Sequence, residues 1–473
     1  MFKSGALITL GNLASALTLM VRNILVARLI TVADMGIAST FAITMALLEM
    51  LTDLALQQLL IQAKDGDERR LKATLQSLQV IRGLIGGAVL YLVATPYAAL
   101  LGVPDVAWAF EVLAIVPVIR GFVHLDIFQA QRRLDFMPFV VANLAPQVIS
   151  VFAVWPLVVW YGDFRVMLYA IFVQQILYVL LSHLMAKERF QIAWDKDVVG
   201  RAVSFGWPLF LNGMLMFLIF NGDRIIVANT LGIVALGLFA MAFTISLTPT
   251  IVMGRTMQSF FLPQLGKVQD DRAAFDPLHR MTLESYLFAG TAFAFGLSIF
   301  GPMVFLLLLG EKYAPALPVL IWLGVMQALR LTKAGPAVVA MSQGKTKNAL
   351  FANLVRVAFM PIAYIAIQIT GDVMSLALVA LLGEAVALVF ALWLLRRELG
   401  VDLAPVLPAY IAAMVVLVLI VVDTLIFPAG PDAFGHFHMA QIGLVIAFGA
   451  MCLAFRNLIG GARTLIQSQK VAS

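Results

Sequence analysis

Long apolar stretches alternate with short polar segments along the whole chain. About 20 apolar residues are enough to cross the hydrocarbon core of a bilayer as one helix. We interpret the first stretch as an uncleaved transmembrane helix and not as a signal peptide, because Gly11 and Asn12 interrupt its apolar run. The pattern predicts an all-α polytopic membrane protein with about 14 transmembrane helices, at residues 6–28, 33–60, 76–101, 108–127, 138–161, 164–186, 204–228, 233–260, 282–309, 316–340, 348–370, 373–395, 404–427 and 436–456.

Composition supports the same conclusion. Hydrophobic residues make up 62% of the 473 residues and charged residues only 12%, with a mean hydropathy of +0.97. Soluble domains carry about a quarter charged residues, so a water-soluble globule is excluded. The single cysteine, Cys452, rules out a disulfide framework. The net charge of +6 fits basic loops beside anionic lipid, and we expect no nucleic-acid partner.

The distribution of Lys and Arg predicts the orientation. Basic residues concentrate in the cytoplasmic loops of membrane proteins. With both termini in the cytoplasm, 21 of the 32 basic residues fall in cytoplasmic segments, and only Arg165 and Lys312 fall outside. We therefore expect a multi-pass protein with cytoplasmic termini, in which basic loop residues such as Arg70 and Lys72 recruit anionic lipid.

Nine basic residues lie inside the predicted spans. An intramembrane charge costs about 2.5–3.5 kcal/mol on insertion scales, which makes it a candidate functional group. An excess of cations over acids is what a cavity for an anionic solute needs. Snorkelling to the headgroups is the alternative for Arg28, Arg255, Arg356 and Asp126. The candidate cavity cations are Arg22, Arg82, Arg120, Arg224, Arg255, Arg330 and Lys333.

Polar faces on helices 1 and 7 are candidates for the lining of the same cavity. Helical spacing places Asn12, Ser15 and Arg22 on one face of helix 1. Asn212 and Asp223 share a face of helix 7. A helix–helix contact is the alternative explanation for both faces.

Two acids on helix 2 are candidates for ion coupling. Glu49 and Asp53 are four residues apart and share a face, so their repulsion would raise one pKa and favour proton or sodium coupling. The alternative is that each pairs with an arginine of helix 1 or 3. The histidines lack zinc-ligand spacing, and the chain has neither a phosphate-binding loop nor a nucleophile elbow. We expect no metal, no cofactor and no enzymatic activity.

A weak internal repeat organises the chain. Six residues between Gly5 and Gly36 recur 201 positions later, and both windows start a helix, cross a short turn and precede a charged loop. Because helices 1 and 7 are an even number apart, the repeats have the same orientation. We predict two six-helix lobes, 1–200 and 201–400, related by a pseudo-twofold axis along the membrane normal. Residues 401–473 would add two helices and a cytoplasmic tail.

Several motifs carry a family resemblance, among them the segments 204–209, 223–226 and 236–239 of the second half. VARLITVADMG at 26–36 resembles the "ARLLSPEDFG" signature of polysaccharide transporters, and DLALQQLLIQ at 53–62 is similar to their "DLGLSQALIQ". LGEKYAPA at 309–316 resembles "LGEKWAPA". These transporters are the O-unit and exopolysaccharide lipid flippases of the multidrug/oligosaccharidyl-lipid/polysaccharide exporter superfamily. The likeness covers about residues 4–360, with Ala55 standing where the family usually has glycine.

The resemblance implies a function. It implies transfer of an undecaprenyl-pyrophosphate-linked oligosaccharide from the inner to the outer leaflet of the bacterial cytoplasmic (inner) membrane. It also implies membrane lipids, a polymerase and chain-length regulator proteins as partners. A drug exporter of the same superfamily is an alternative, although it would need an acid-rich cavity. A membrane polymerase or ligase would need a large outer loop, and the longest here, about 427–435, is under ten residues.

Alternating access is the mechanism that the repeat predicts. Gly36 and Gly237 occupy matching turns at the predicted outer ends of helices 2 and 8, where small residues let helices approach closely. Pro249 would bend helix 8 near the cavity. The short outer loops predict a gate closed by helix packing and not by a lid.

Overall fold

The computed structural model describes residues 2–52, 55–345, 347–427 and 439–455. Over these residues the chain is helical and contains no β-strand. The helices are α1 (Phe2–Leu29), α2 (Val32–Thr52), α3 (Leu56–Gln62), α4 (Arg69–Leu100), α5 (Ala107–Leu113), α6 (Ile115–Gly121), α7 (Asp126–Arg132), α8 (Met137–Trp160), α9 (Arg165–Leu184), α10 (Lys196–Lys267), α11 (Arg272–Leu309), α12 (Leu317–Ser342), α13 (Lys347–Ala358), α14 (Met360–Thr370), α15 (Val373–Leu399), α16 (Leu407–Ile426) and α17 (Met439–Ala454).

The helices confirm a multi-pass membrane fold. Among the described residues, eleven segments are long and apolar enough to cross a bilayer, counting α10 once. At 72 residues α10 is too long for one crossing, and Gly232 interrupts it with a φ of 83° and a ψ of −177°, a conformation essentially restricted to glycine. This break separates the predicted helices 7 and 8. With it, the bent segments around 104–132 and the short apolar α17, the described helices agree roughly with the predicted fourteen.

The predicted single helix at 108–127 is wrong in detail. The chain forms α5, α6 and α7 there, and the segment 104–121 is bent by 50° against α7. Pro117 has no N–H to donate to the carbonyl of Leu113, which explains the break between α5 and α6. The Gln79 side-chain amide donates to the carbonyls of Gly121 and Val123, so that backbone acceptors freed at the second break are satisfied.

The predicted helix at 33–60 is also divided, into α2 and α3. Ala55 adopts the left-handed conformation, with a φ of 50°. This conformation costs an L-residue about 1–2 kcal/mol and favours glycine. The one position where the second motif departs from the family glycine is therefore a position at which the backbone favours glycine.

The chain divides into two compact units, residues 1–240 and 241–473. The core of unit 1 includes Leu56, Leu60 and Leu75, all at most 1% exposed. The core of unit 2 is built on α11, α12 and α16, with Leu287, Ala328 and Ala413 fully or almost fully buried. The lobe boundaries predicted from the repeat, 1–200 and 201–400, remain a prediction.

Two pairs of glycines set close helix contacts within unit 1. A Cβ at Gly83 would lie 2.5 Å from the Pro117 carbonyl oxygen, and one at Gly87 would lie 2.6 Å from that of Ala114. The absence of these Cβ atoms lets α4 approach α5 and α6 closely, which places Arg82 and Arg120 beside one cavity.

The second pair of glycines lies where α2 meets α10. A Cβ at Gly36 would overlap the carbonyl oxygen of Ile233. A Cβ at Gly237 would overlap that of Val32, so α2 crosses the start of the second half of α10 in direct backbone contact.

Candidate functional site

Unit 1 encloses a polar cavity between its membrane-spanning helices. A region of about 290 Å³ and a neighbouring one of about 110 Å³ share Glu49, Gln57, Arg120 and Tyr178 in their walls. Six side-chain amides line the combined cavity: Gln57, Gln79, Asn143, Gln147, Gln174 and Gln175. Amides both donate and accept hydrogen bonds. The cavity is therefore equipped to bind a ligand rich in hydroxyl groups.

Arg82 and Arg120 add positive charge to this cavity. Arg120, on α6, forms an ion pair with Glu49 of α2, and their side chains stay 34% and 42% exposed. Arg82 lies one turn beyond Gln79 on α4 and also lines the cavity. Among the described residues, the walls of this cavity carry two guanidinium groups and the carboxylate of Glu49. A planar guanidinium can bind two oxygens of a phosphate at once, and it keeps its charge.

Arg22 is connected to the cavity through one of its amides. Its guanidinium donates to the Gln174 side-chain oxygen and, at 3.4 Å, to the Ser150 hydroxyl. The Arg22 side chain is buried, with 8% exposure, so it lies behind Gln174 and not in the wall itself. Arg22 therefore ties α1 to α8 and α9 and orients a lining amide.

A second charged centre lies in unit 2. Glu384 of α15 is fully buried and accepts a 2.9 Å hydrogen bond from Arg330 Nε and a 2.7 Å bond from Lys333 Nζ, both on α12. Arg356 of α13, also fully buried, lies 3.4 Å from the same carboxylate. Three cations thus surround one acid and tie three helices together. Arg356 does not snorkel, since no part of it is exposed.

The remaining predicted site residues are distributed differently. Asp223 is buried at 1% exposure, and its neighbour Arg224 is half-buried. Arg255 is exposed in unit 2. Of the predicted lining residues, Ser15 is buried, whereas Asn12 and Asn212 are exposed. Asp53 lies outside the described residues.

The structure therefore brings four predicted residues together at or next to one cavity in unit 1: Arg22, Arg82, Arg120 and Glu49. Glu49 does pair with an arginine, but this arginine comes from the fourth predicted span and not from helix 1 or 3. The roles assigned to these residues and to Arg330 and Lys333 stay predictions. The amides were missed, although Gln174 and Gln175 interrupt the apolar span at 164–186 and could have marked it.

Lys72 is not available as a lipid-recruiting loop residue. It is 3% exposed and bonds to Asp126 at 2.8 Å and to Glu188 at 2.6 Å. Arg70 is itself paired with Asp195 but is largely exposed. The basic loop surface is smaller than the sequence predicts because its charges neutralise acids on neighbouring loops.

The loop at 63–68 is held by arginines from α7 and α10. Arg201 bonds to Asp65 at 2.7 Å, and this hydrogen bond lowers the pKa of the Asp65 carboxyl. Hydrogen bonds from Arg133 and then Arg132 lower the pKa of Asp67. Arg132 also donates to the carbonyl oxygens of Ile61 and Lys64.

Comparison with known proteins agrees with this architecture. A family model described as "Polysaccharide biosynthesis protein" matches residues 25–318. The Teichuronic acid biosynthesis protein TuaB of Bacillus subtilis (strain 168) is 21% identical over 417 residues, covering 86% of this chain and 84% of that protein.

Solved structures share the fold at low sequence identity. The inward closed conformation of the lipid II flippase MurJ superposes with a TM-score of 0.70 at 12% identity, covering 96% of this chain and all of that one. An inward-facing multidrug resistance MATE family transporter of the MOP superfamily has a TM-score of 0.66 at 14% identity, covering 82% of this chain and 94% of that one. At such identities the likeness establishes the fold alone.

Proposed function

Because the chain belongs to the polysaccharide biosynthesis protein family, we propose that it moves a lipid-linked oligosaccharide across the bacterial cytoplasmic (inner) membrane. The substrate is an undecaprenyl-pyrophosphate-linked repeat unit of an O-antigen, exopolysaccharide or capsule, carried from the cytoplasmic to the outer leaflet. The observation that carries this proposal is the cavity within the membrane-spanning helices of unit 1, which is lined by six amides and by Arg82 and Arg120.

The cavity chemistry matches the polar part of such a substrate. The apolar lipid tail can remain in the bilayer, whereas the sugars and the diphosphate must pass about 30 Å of hydrocarbon. Amides such as Gln57 and Gln175 offer hydrogen bonds to sugar hydroxyls. Arg82 and Arg120 offer charge-assisted hydrogen bonds to phosphate or acidic groups. Of the other predicted cations, Arg22 orients the lining amide of Gln174, and Arg224 and Arg255 are candidates for further steps of the path.

Transport and not catalysis is the proposed activity. A polymerase and chain-length regulator proteins are the proposed partners that act on the delivered substrate. A drug exporter of the same fold is the second candidate, and the cavity's cations oppose it because they would repel cationic drugs.

Alternating access is the proposed mechanism, with residues 1–200 and 201–400 acting as two lobes and both termini in the cytoplasm. The backbone contact between Gly36 and Ile233 and between Gly237 and Val32 supports a close-packed outer gate. Cysteine pairs introduced near Gly36 and Gly237, at positions that already carry a Cβ, would test it: a disulfide should stop transport reversibly, and undiminished transport by cross-linked protein would contradict the gate.

Ion coupling is proposed to involve Glu49. Its carboxylate faces Arg120 in the cavity, so protonation of Glu49 would release the guanidinium for an anionic substrate. The predicted partner in coupling, Asp53, is kept as a candidate. Glu49→Gln should make residual transport indifferent to a proton or sodium gradient, and an unchanged gradient dependence would contradict this role.

The experiment that tests the function uses purified chain in proteoliposomes. Undecaprenyl-pyrophosphate-linked oligosaccharide is placed in the inner leaflet, and its arrival outside is measured by digestion with an added glycosidase. Transfer by the native chain, and its loss in Arg120→Ala, is the expected result. Efflux of a cationic dye without transfer of the oligosaccharide would establish the exporter instead.

A further inference from the structure

A large apolar groove lies between α15 and α16 in unit 2. It has a volume of about 780 Å³, within the usual range of about 300–1,000 Å³ for small-ligand sites. Its walls are aliphatic over most of their length, and Leu392, Met414 and Val418 are representative. None of the charged residues of the cavity in unit 1 belongs to it.

One end of this groove is polar. Arg396 in the last turn of α15 and Asp402 in the following loop both line it. Both side chains are exposed. One Asp402 oxygen accepts a 3.0 Å hydrogen bond from the backbone N–H of Ala404, which fixes the carboxylate at the start of the next helix. The mouth thus carries one positive and one negative group, with the apolar groove directly below.

We propose that this groove is a binding site for phosphatidylethanolamine of the surrounding bilayer. The phosphate binds Arg396, the ammonium group binds Asp402, and one acyl chain lies along the groove. A zwitterionic headgroup complements a base and an acid side by side, whereas a purely anionic headgroup would meet the Asp402 carboxylate.

The length of the groove supports this occupant. On α16 it extends from Leu407 to Leu419, about 18 Å at 1.5 Å per residue. One leaflet of hydrocarbon is about 15 Å thick. The groove therefore accommodates the acyl chain of a lipid in the leaflet that borders the loop between α15 and α16. A polyprenyl chain of many more carbons would extend well beyond it.

The chain offers a matched control for the headgroup contact. Arg397 carries the same charge one residue later, but its guanidinium stacks over Trp393 at 5.1 Å from the ring centroid, and it does not line the groove. Val415 lines the groove, and Val422, on the same helix and also exposed, does not. Each pair separates an effect of the site from an effect of surface charge or helix stability.

The test is native mass spectrometry of the purified full chain titrated with dioleoyl phosphatidylethanolamine or dioleoyl phosphatidylglycerol. Arg396→Ala should weaken phosphatidylethanolamine binding about tenfold, equivalent to about 1.4 kcal/mol, and Arg397→Ala should leave it unchanged. Val415→Trp should abolish the bound lipid by filling the groove, unlike Val422→Trp. Asp402→Asn, which keeps an acceptor oxygen for Ala404, should shift the preference towards phosphatidylglycerol.

Several results would overturn the proposal. Equal effects of Arg396→Ala and Arg397→Ala would reduce the contact to general surface charge. If the native chain bound phosphatidylglycerol more tightly than phosphatidylethanolamine, the groove would belong to another lipid. The same conclusion would follow if a polyprenyl phosphate, added as a competitor, displaced phosphatidylethanolamine and remained bound alone. Unchanged binding in Val415→Trp would place the lipid elsewhere. The transport assay is not involved, so these outcomes are independent of the proposed function.

Discussion

Both units place arginines in membrane-spanning helices, but the surroundings of these arginines differ. In unit 1, Arg120 and Glu49 form an ion pair in the wall of a cavity, where each remains more than a third exposed. In unit 2, Glu384 is fully buried among Arg330, Lys333 and Arg356. A pair at a cavity wall can exchange one partner for a solute. A buried carboxylate that joins three helices can be reached only if those helices separate.

This difference teaches that an intramembrane charge does not by itself mark a substrate site. The cost of burying a charge can be offset by a ligand or by another residue of the chain. Glu384 offsets that cost with three contacts in one place, and so it is expected to act in stability first. Glu49 and Arg120 are expected to act in transport first.

We expect the largest effect for Glu384→Gln. Only a small loss of stability in this variant would contradict the difference between the two charged centres. Loss of the carboxylate leaves three cations close together in a buried place, and breaking a buried ion pair costs about 3–5 kcal/mol. Thermal unfolding of the purified protein should show a clear loss of stability, with Glu49→Gln as the matched control. Equal melting temperatures for the two variants would contradict a structural role for Glu384.

Arg→Lys substitutions in both centres would sharpen the comparison. Arg120→Lys keeps the charge but loses the planar fork, so we expect transfer of the oligosaccharide to fall about tenfold while the melting temperature stays close to native. Arg330→Lys should lower the melting temperature instead, because its 2.9 Å bond to Glu384 is lost. If both variants lost stability equally and retained transfer, the cavity would have no special part in transport.

A smaller effect separates two neighbouring amides of the cavity. Gln174→Ala removes one of the two acceptors of the buried Arg22 guanidinium and leaves only the longer bond to Ser150. It should cost about 1–3 kcal/mol, the penalty for a buried polar group that loses a partner. Gln175 lines the same cavity, so Gln175→Ala serves as the control. Chemical unfolding followed by circular dichroism measures both. If Gln174→Ala lost no more stability than Gln175→Ala, the dependence of Arg22 on Gln174 would be contradicted.

We expect the smallest effect on stability from the solvent-exposed ion pairs of the loop at 63–68. These pairs show how little an exposed ion pair contributes in comparison with the two charged centres inside the membrane. Hydrogen bonds from arginine lower the pKa of Asp65 and of Asp67 in the folded chain. Their contribution to stability is therefore present above the ordinary Asp pKa of about 4 and is lost as the pH falls through the lower folded value. Exposed pairs contribute about 0–1 kcal/mol, so Asp67→Asn should remove only a small part of the acid sensitivity. A change as large as that of Glu384→Gln would be unexpected.

Much of the fold could be predicted from periodicity and composition alone. Apolar runs of about 20 residues predicted the multi-pass helical fold, because the bilayer imposes both length and polarity on each span. The motifs at 26–36 and 309–316 predicted the family. Two predicted helices were divided in the structure, at Ala55 and Pro117, because local backbone geometry overrides a continuous apolar pattern there.

What the sequence by itself determined is which residues must lie in the membrane and which charges need a partner there. Only the tertiary structure decided the partners: Glu49 with Arg120, Arg22 with Gln174, and Glu384 with cations of two helices. Polarity follows from each residue's own transfer free energy, which the sequence contains. Pairing depends on how helices distant in the chain approach one another, as α4 approaches α6 through Gly83, and that proximity exists only in the folded molecule.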